Sequence, residues 1–249
     1  MQRYLRRLPG TDLLFWLGPL GLAVRLFLYA VSPQALLAVR RAEYRRLASI
    51  MGQRGFHLVA IAAVSVSIAL TIQCVIELQR YRAENLAGAA ISIGLLRELG
   101  PLTVSLAWCA RVAAVVAEQV KHYASDDLET FGRYFIPPRY LAALVTAVPL
   151  GAYGLLIGFV TAALFAPLLG AVSIGDFVES ARGNIGMKDL VVYFIKLNVI
   201  NPTIGIFAGC VAGWNGRREL NVPVAAGAVT ATFVCGYIAN LMVTLGAYL

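Results

Sequence analysis

The segment Gly94-Leu95-Leu96-Arg97-Glu98-Leu99-Gly100-Pro101 places two adjacent charges inside an apolar stretch that runs from about residue 91 to residue 117. A cationic side chain at the centre of a bilayer costs at least about 2.5–3.5 kcal/mol on insertion scales, so charges within a span usually mark a site. Adjacent residues on a helix point about 100° apart, and Arg97 and Glu98 therefore cannot be each other's main partner. We expect each to find a counter-group on another helix, another subunit, a ligand or water. The alternative is that both lie near the end of the span and reach the lipid headgroups.

The composition is that of an integral membrane protein, since 59% of the 249 residues are hydrophobic and only 14% are charged. The mean hydropathy is +0.75, and soluble domains carry about 25% charged residues. We therefore expect a single transmembrane domain over residues 1–249. The net charge of +8 comes from arginines beside apolar segments, which indicates membrane topology and anionic lipid rather than nucleic acid. The cysteines are scattered singly without a CxxC motif, so we expect no metal site and no cofactor.

The amino-terminal apolar run follows a group of arginines and resembles a signal peptide at first reading. Arg25 interrupts this run, however, and further arginines follow it where a mature domain would begin. We therefore predict an interfacial elbow helix over about residues 12–32.

Five further segments are long and apolar enough to cross a membrane as helices: residues 55–78, 91–117, 140–169, 190–214 and 222–249. The predicted fold is an all-α integral membrane protein with an amino-terminal interfacial elbow helix followed by five transmembrane helices. Gln73 lies deep in the first of these spans, where it is a candidate for an interhelical hydrogen bond or for a cavity. Lys196 is a second intramembrane cation. Its position favours snorkelling to the headgroups at least as much as contact with a ligand.

Residues 118–139 form a polar insert between two apolar spans, which is too long for a tight turn. Ser125 or Asp126 is predicted to cap a short helix, and the Pro137-Pro138 pair is predicted to end it. Such an insert suits docking of a soluble partner. The candidate contact residues are Glu118, Asp126, Asp127, Glu129, Phe131, Arg133 and Tyr134.

The distribution of lysine and arginine predicts the orientation of the chain in the membrane. The amino terminus, the arginine-rich residues 40–54 and the insert fall on one side, which we expect to be cytoplasmic. Five spans then place the carboxyl terminus outside.

The residues from Leu95 to Pro101, joined to Ala110-Arg111-Val112 and Ala117-Glu118, resemble the MlaE permease family. These permeases are the membrane subunits of ABC lipid transporters that work with MCE proteins. The spacing makes the resemblance specific, because Arg111 follows Pro101 by ten residues and Glu118 follows seven residues later. The elbow and five-span layout agrees, so the resemblance covers essentially the whole chain.

The resemblance implies a bacterial inner-membrane permease with four kinds of partner. They are a second permease subunit, identical or related; a cytoplasmic ABC ATPase; an extracytoplasmic MCE protein; and the transported lipid, in a cavity between the two permeases. It implies cavity roles for Arg97, Glu98, Leu70 and Gln73, and structural roles for Arg111, Gly100 and Pro101. The polar insert corresponds to the family's ATPase-coupling element and is several residues shorter than expected.

Two other classes of function remain open at this point. An ion-coupled secondary transporter would use Arg97, Glu98, Arg111 and Lys196 as relay groups, although five spans do not divide into two equal repeats. An integral-membrane enzyme or assembly subunit should show His or Asp clusters, and the sequence has none. The chain also lacks a GxxxxGK[ST] phosphate loop. We therefore expect no enzyme activity in this chain and ATP hydrolysis on a partner.

Overall fold

The structure is a computed structural model that describes residues 18–123, 127–170, 172–217 and 223–249. The residues in these ranges form helices and connecting turns without a strand. Five helices are long and apolar enough to cross a membrane, and a short apolar helix precedes them. The predicted all-α membrane fold is thus confirmed.

The described residues contain eight helices, named here in chain order. They are α1 (Pro19–Ala30), α2 (Pro33–Leu37), α3 (Arg41–Arg80), α4 (Glu84–Lys121), α5 (Leu128–Leu169), α6 (Ile174–Asn184), α7 (Met187–Gly216) and α8 (Val224–Tyr248). The spanning helices are α3, α4, α5, α7 and α8. Residues 12–17 of the predicted elbow and residue 222 of the predicted last span lie outside the described residues.

Helix α3 is longer than the predicted span, because it begins at Arg41 rather than near residue 55. Its 40 residues measure about 60 Å at 1.5 Å per residue, twice the thickness of a bilayer's hydrocarbon core. The arginine-rich first third therefore extends beyond the apolar layer. One face of α3 is buried at every fourth position, by Gly55, Val59, Ala63, Ser67, Thr71 and Val75. These mostly small side chains form a ridge that packs against α5.

Helices α4 and α7 pack closely through three glycines spaced four residues apart. A Cβ atom on Gly205 would lie 3.0 Å from the carbonyl oxygen of Cys109, and one on Gly209 would lie 2.5 Å from that of Ala113. Gly213 stands in the same relation to the next turn of α4. In lipid the hydrophobic effect does not drive helices together. Their association depends instead on close backbone packing of this kind. Helix α8 covers both helices from one side.

Two connections differ from the prediction. The polar insert is mostly helical: α4 continues to Lys121, and α5 already begins at Leu128. Pro137 and Pro138 do not end a helix. They lie directly after the π-type turn Phe131–Phe135, where the regular α-helical part of α5, Ile136–Phe165, begins. The missing proline N–H groups thus coincide with a change in the hydrogen-bond pattern of the helix. The predicted loop between the third and fourth spans contains α6, whose Phe177 is fully buried.

Gly55 lets Trp108 of α4 reach the backbone of α3. The Trp108 indole donates a hydrogen bond to the Met51 carbonyl at 3.2 Å. A Cβ atom on Gly55 would lie 2.6 Å from two atoms of the indole ring, which is closer than side chains tolerate. The glycine is therefore required for this contact between the two spans.

We expect Gly55→Ala to lower the melting temperature of the purified protein in detergent, because the added methyl displaces Trp108 and overpacking costs about 1–3 kcal/mol. Gly52→Ala is the matched control. It lies one turn earlier on α3, and its Cβ would meet only Thr146 Cγ2 at 3.6 Å. Equal melting temperatures for the two variants would contradict this account.

Candidate functional site

The regular α-helical path of α4 is interrupted where the two adjacent charges lie. Two π-type turns follow each other there, Leu95–Leu99 and Pro101–Ser105. Pro101 has no N–H group, so the carbonyl of Arg97, four residues earlier, loses the donor that a regular helix would give it. The Lys196 ammonium of α7 donates to this carbonyl at 2.5 Å. Pro101 thus removes a helical hydrogen bond to the Arg97 carbonyl, and a cation from another span replaces it.

Lys196 is fully buried, with no exposed side-chain surface. Besides the Arg97 carbonyl, its ammonium donates to the Thr244 hydroxyl of α8 and lies 3.6 Å from Glu98 Oε1. The Thr244 hydroxyl lies 2.5 Å from the same carboxylate and donates to it. Of the two possibilities left open for Lys196, snorkelling to the headgroups is therefore excluded. Its three donors have three partners inside the protein, which offsets the cost of burying the charge.

Arg97 is paired on the other side of the same turn. Its Nε donates to Asp189 Oδ1 at 2.7 Å, and its guanidinium lies over the Tyr248 ring, 4.2 Å from the centroid. The Tyr248 hydroxyl donates to the same Asp189 oxygen at 2.5 Å, and the Gly186 N–H donates to the other at 3.0 Å. As expected, Arg97 and Glu98 are not each other's main partner, and each meets its counter-charge on α7.

The polar contacts continue towards the middle of the bundle. Asn240 donates to Asn201 Oδ1 at 2.6 Å, and Asn201 donates to the Pro101 carbonyl at 3.2 Å. Asn240, Thr244 and Tyr248 are spaced four residues apart and form one face of α8. This face, with the π-type turns of α4 and the first half of α7, defines the charged cluster: Arg97, Glu98, Asp189, Lys196, Asn201, Asn240, Thr244 and Tyr248.

The charged cluster is formally neutral, because Arg97 and Lys196 balance Glu98 and Asp189. It is not sealed: the side chains of Arg97 and Glu98 are 36% and 38% exposed, whereas those of Asp189 and Lys196 are 5% and 0% exposed. The buried Asp189 and Lys196 thus hold the partly exposed Arg97 and Glu98 in position. Arg97 and Glu98 therefore offer one partly exposed cation and one partly exposed anion on the same helical turn.

The three residues with predicted structural roles have the following contacts. A Cβ atom on Gly100 would lie 2.2 Å from the Leu95 carbonyl oxygen, so only glycine fits between the two π-type turns. Pro101 lacks the N–H group that would otherwise donate to the Arg97 carbonyl. Arg111, at the other end of α4, donates to the Arg54 carbonyl of α3 at 3.0 Å. This contact with the backbone of another helix is compatible with a structural role for Arg111.

Leu70 and Gln73, the other predicted cavity residues, lie on α3 away from the charged cluster's contacts. Leu70 packs against the buried group that contains Leu95, and its methyl groups are the nearest atoms to Gly94. Gln73 is exposed. Leu70 and Gln73 therefore lie three positions apart on α3. The described side-chain hydrogen bonds of Arg97 and Glu98 go to other residues.

Phe131 was predicted to contact an ATPase, and the structure corrects this. Its side chain is fully buried, with ring centroids 5.4 Å from Tyr123, 5.0 Å from Phe135 and 5.0 Å from Trp214. The sequence pattern was misleading because the insert is helical and turns one face inward. Tyr134, three residues later, is 62% exposed and is the aromatic side chain available to a partner.

The short helical turn at the start of α5 is capped by Asp127. Its carboxylate accepts hydrogen bonds from the Thr130 hydroxyl at 2.5 Å and from the N–H groups of Thr130 and Glu129 at 3.2 and 3.3 Å. These bonds, the hydroxyl first, lower the pKa of Asp127 below its ordinary value. The cap therefore stabilises the turn at neutral pH and is lost only as the pH falls through that lowered pKa. The predicted caps, Ser125 and Asp126, lie outside the described residues, and the structure shows Asp127 in this role.

The remaining predicted coupling residues lie at the surface of the same end. Glu118 is exposed. Glu129 pairs with Arg133 at 3.0 Å, and Arg133 also donates to Gln34 of α2 at 3.2 Å. Arg139 links this region to the start of α3 through Glu43, at 3.7 Å. Within the described ranges, no group of three or more His, Cys, Asp or Glu side chains is placed to hold a metal ion.

We expect Lys196→Met to lower the free energy of unfolding by about 3 kcal/mol or more, because it leaves the Arg97 carbonyl and the Glu98 carboxylate without their donor. Adding Glu98→Gln should restore part of this loss, since the uncompensated charge is then removed. Arg80→Gln, which breaks an exposed pair with Glu77, should change little. The measurement is unfolding in detergent by denaturant. A Lys196→Met protein as stable as the wild type would contradict the assignment.

Comparisons with known proteins agree with this geometry. The sequence profile described as Permease MlaE matches residues 46–246. A probable ABC transporter permease protein of Rickettsia typhi is 26% identical over 207 residues, covering 76% of this chain and 78% of that protein. The chloroplastic protein TRIGALACTOSYLDIACYLGLYCEROL 1 of Arabidopsis thaliana is 24% identical over 165 residues, covering 63% of this chain and 47% of that protein. With five spanning helices and a family match over most of its length, the chain belongs to the MlaE permease family and is a membrane permease subunit of an ABC transporter.

Proposed function

We propose that this permease moves a phospholipid or a related lipid between membranes together with an extracytoplasmic MCE protein. The observation that carries the proposal is the family match over residues 46–246. The name of the Arabidopsis relative contains a glycolipid, which favours a lipid over a small soluble substrate. The composition adds support, because the chain offers apolar surface on every spanning helix.

The charged cluster fits the recognition of a lipid headgroup. Arg97 supplies a guanidinium, which suits phosphate, and Glu98 supplies a carboxylate beside it. Both are about one-third exposed, and their orientation is fixed by the buried Asp189 and Lys196. In this proposal Leu70 and Gln73 of α3 line the same lipid cavity, which is completed by a second permease subunit of identical or related sequence.

The proposed orientation places the arginine-rich start of α3 in the cytoplasm and the carboxyl-terminal end of α8 outside. The charged cluster then lies towards the outer side, where an MCE protein would accept or deliver lipid. The end that contains Glu118, Glu129 and Tyr134 faces the cytoplasm, where an ABC ATPase would bind. The bacterial relatives support a location in the inner membrane.

An ion-coupled secondary transporter is less well supported. Its proposed relay groups do not form a chain. Arg97, Glu98 and Lys196 are paired within the charged cluster. Arg111 lies fourteen residues after Arg97 on α4 and binds the Arg54 carbonyl instead. The Rickettsia relatives are named probable ABC transporter permease proteins. We therefore retain the ABC lipid permease as the proposed function.

Lipid transport is tested by reconstituting the permease with its ATPase and MCE partners in liposomes and following a labelled phospholipid. We expect Arg97→Ala and Glu98→Ala each to lower transport about tenfold or more, since a hydrogen bond to a charged group contributes about 1.5–3 kcal/mol. Arg182→Ala, which removes an exposed arginine of α6, is the matched control. Wild-type transport in both cluster variants, with normal assembly, would refute the cavity role.

The contact with the ATPase is tested at Glu129 and Tyr134. We expect Glu129→Ala combined with Tyr134→Ala to weaken ATPase binding about fivefold or more, because an exposed tyrosine is a common energetic centre of interfaces, while the melting temperature stays near that of the wild type. Phe131→Ala should instead lower the melting temperature, since it opens a cavity in the aromatic core. Co-purification and lipid-stimulated ATP hydrolysis are the readouts. Full binding by the double variant would show that this surface does not couple the two subunits.

A further inference from the structure

A groove of about 490 Å³ lies between the first half of α3 and the middle of α5, far along the helices from the charged cluster. Its lining includes Gln53, Phe56 and His57 of α3 and Pro149, Leu150 and Tyr153 of α5. Small-molecule sites commonly measure about 300–1,000 Å³. No part of the transport site proposed above uses these residues, so the groove requires an explanation of its own.

The floor of the groove is aromatic and apolar, and its rim is polar. The Phe56 and Tyr153 rings are stacked with their centroids 3.9 Å apart, and the His57 ring meets Phe56 edge-on at 5.9 Å. Phe56 is 44% exposed, so this apolar surface is open. Gln53 and His57 are also exposed. An occupant with an apolar part and a polar end matches this arrangement.

The depth of the groove corresponds to a boundary between headgroups and hydrocarbon. Trp108 and Arg111 of α4 bind the carbonyls of Met51 and Arg54 beside it. The arginine-rich part of α3 ends at Arg54, directly after Gln53, and the apolar part of the span begins there, as expected at such a boundary. Arg97 precedes Arg111 by fourteen residues, or about 21 Å along a helix, so the charged cluster belongs to the opposite part of the membrane.

The face of α3 that lines the groove carries two arginines nearer the amino terminus of the helix. Arg45 and Arg46 precede the groove residues Gly52 and Gln53 by seven positions, which is two turns on the same face and about 10 Å away. Both arginines are exposed. Glu43, the nearest acidic residue along α3, pairs with Arg139 and does not neutralise them. Arginines at this position attract anionic lipid headgroups.

We propose that this groove binds one anionic phospholipid of the adjoining leaflet, with an acyl chain against Phe56, Leu150 and Tyr153 and the phosphate towards Arg45 and Arg46. A second copy of the chain fits less well. Around a two-fold axis it would bring its own Arg45 and Arg46 towards the same surface. The proposal depends on the chain lying in a membrane and not on lipid transport, so it is tested without ATP or partner subunits.

The full chain is reconstituted in phosphatidylcholine nanodiscs that contain a trace of photoactivatable phosphatidylglycerol or phosphatidylcholine, with the reactive group on an acyl chain. Labelled peptides are quantified by mass spectrometry. We expect labelling near Phe56 and Tyr153, with phosphatidylglycerol favoured about fivefold for each arginine that engages the headgroup. Arg45→Gln combined with Arg46→Gln should abolish this preference and leave the phosphatidylcholine signal unchanged.

Gly52→Phe should reduce labelling by both lipids, because Gly52 lines the groove and its Cβ would meet only Thr146 Cγ2 at 3.6 Å. Gly227→Phe is the matched control, since Gly227 is exposed on α8 with nothing near its Cβ. Melting temperatures establish that both variants fold. If Gly52→Phe does not fold, the arginine variant alone decides the outcome.

Three results would overturn the proposal. The first is equal labelling of the groove by the two lipids in the wild type. The second is displacement of the label by soluble glycerol phosphate, which would mean that a bare phosphate is the ligand. The third is crosslinking between two chains that both carry Gln53→Cys, accompanied by loss of labelling. That result would assign the groove to an interface between copies.

Discussion

The bond from the Lys196 ammonium to the Arg97 carbonyl is the contact on which the charged cluster depends. Pro101 removes the helical donor to that carbonyl, and the π-type turns of α4 leave it accessible from the side. In lipid an unsatisfied carbonyl costs several kcal/mol, so a donor must come from another helix. Lysine meets this need and at the same time carries a charge that requires Glu98 and Thr244.

From this contact the arrangement of the helix ends around the charged cluster follows. Glu98 is held by α7 and α8, Arg97 is held by Asp189 and Tyr248, and both remain partly exposed. The protein thereby keeps two opposite charges at its surface without leaving a buried charge unpaired, which would be strongly destabilising. A fixed pair of this kind is a suitable contact for a lipid headgroup, because little rearrangement is needed when the ligand binds.

The middle of the bundle is held together in a different way. Small residues at every fourth position of α3, and the three glycines of α7, allow helix backbones to approach each other closely. Larger apolar side chains, such as Ile61 and Leu156, are exposed on the outer faces of the helices. The close packing explains why a single added methyl at Gly55 or Gly100 has nowhere to go, whereas Gly52 tolerates one beside the groove.

The sequence by itself determined that the chain has five segments able to span a membrane and that Arg97 and Glu98 each need a partner on another element. Both conclusions follow from local physics, since apolar length sets a span and an intramembrane charge requires a partner. The MlaE resemblance also rested on sequence alone. Sequence did not show which partners these charges have, because Asp189 and Tyr248 lie about 90 and 150 residues further along the chain and no local pattern joins them. Tertiary structure decided that Lys196 is buried rather than snorkelling, that Phe131 faces the core, and that the insert is helical. Each depends on which face of a helix meets a neighbour, and uniformly apolar spans carry no periodicity from which that face can be read.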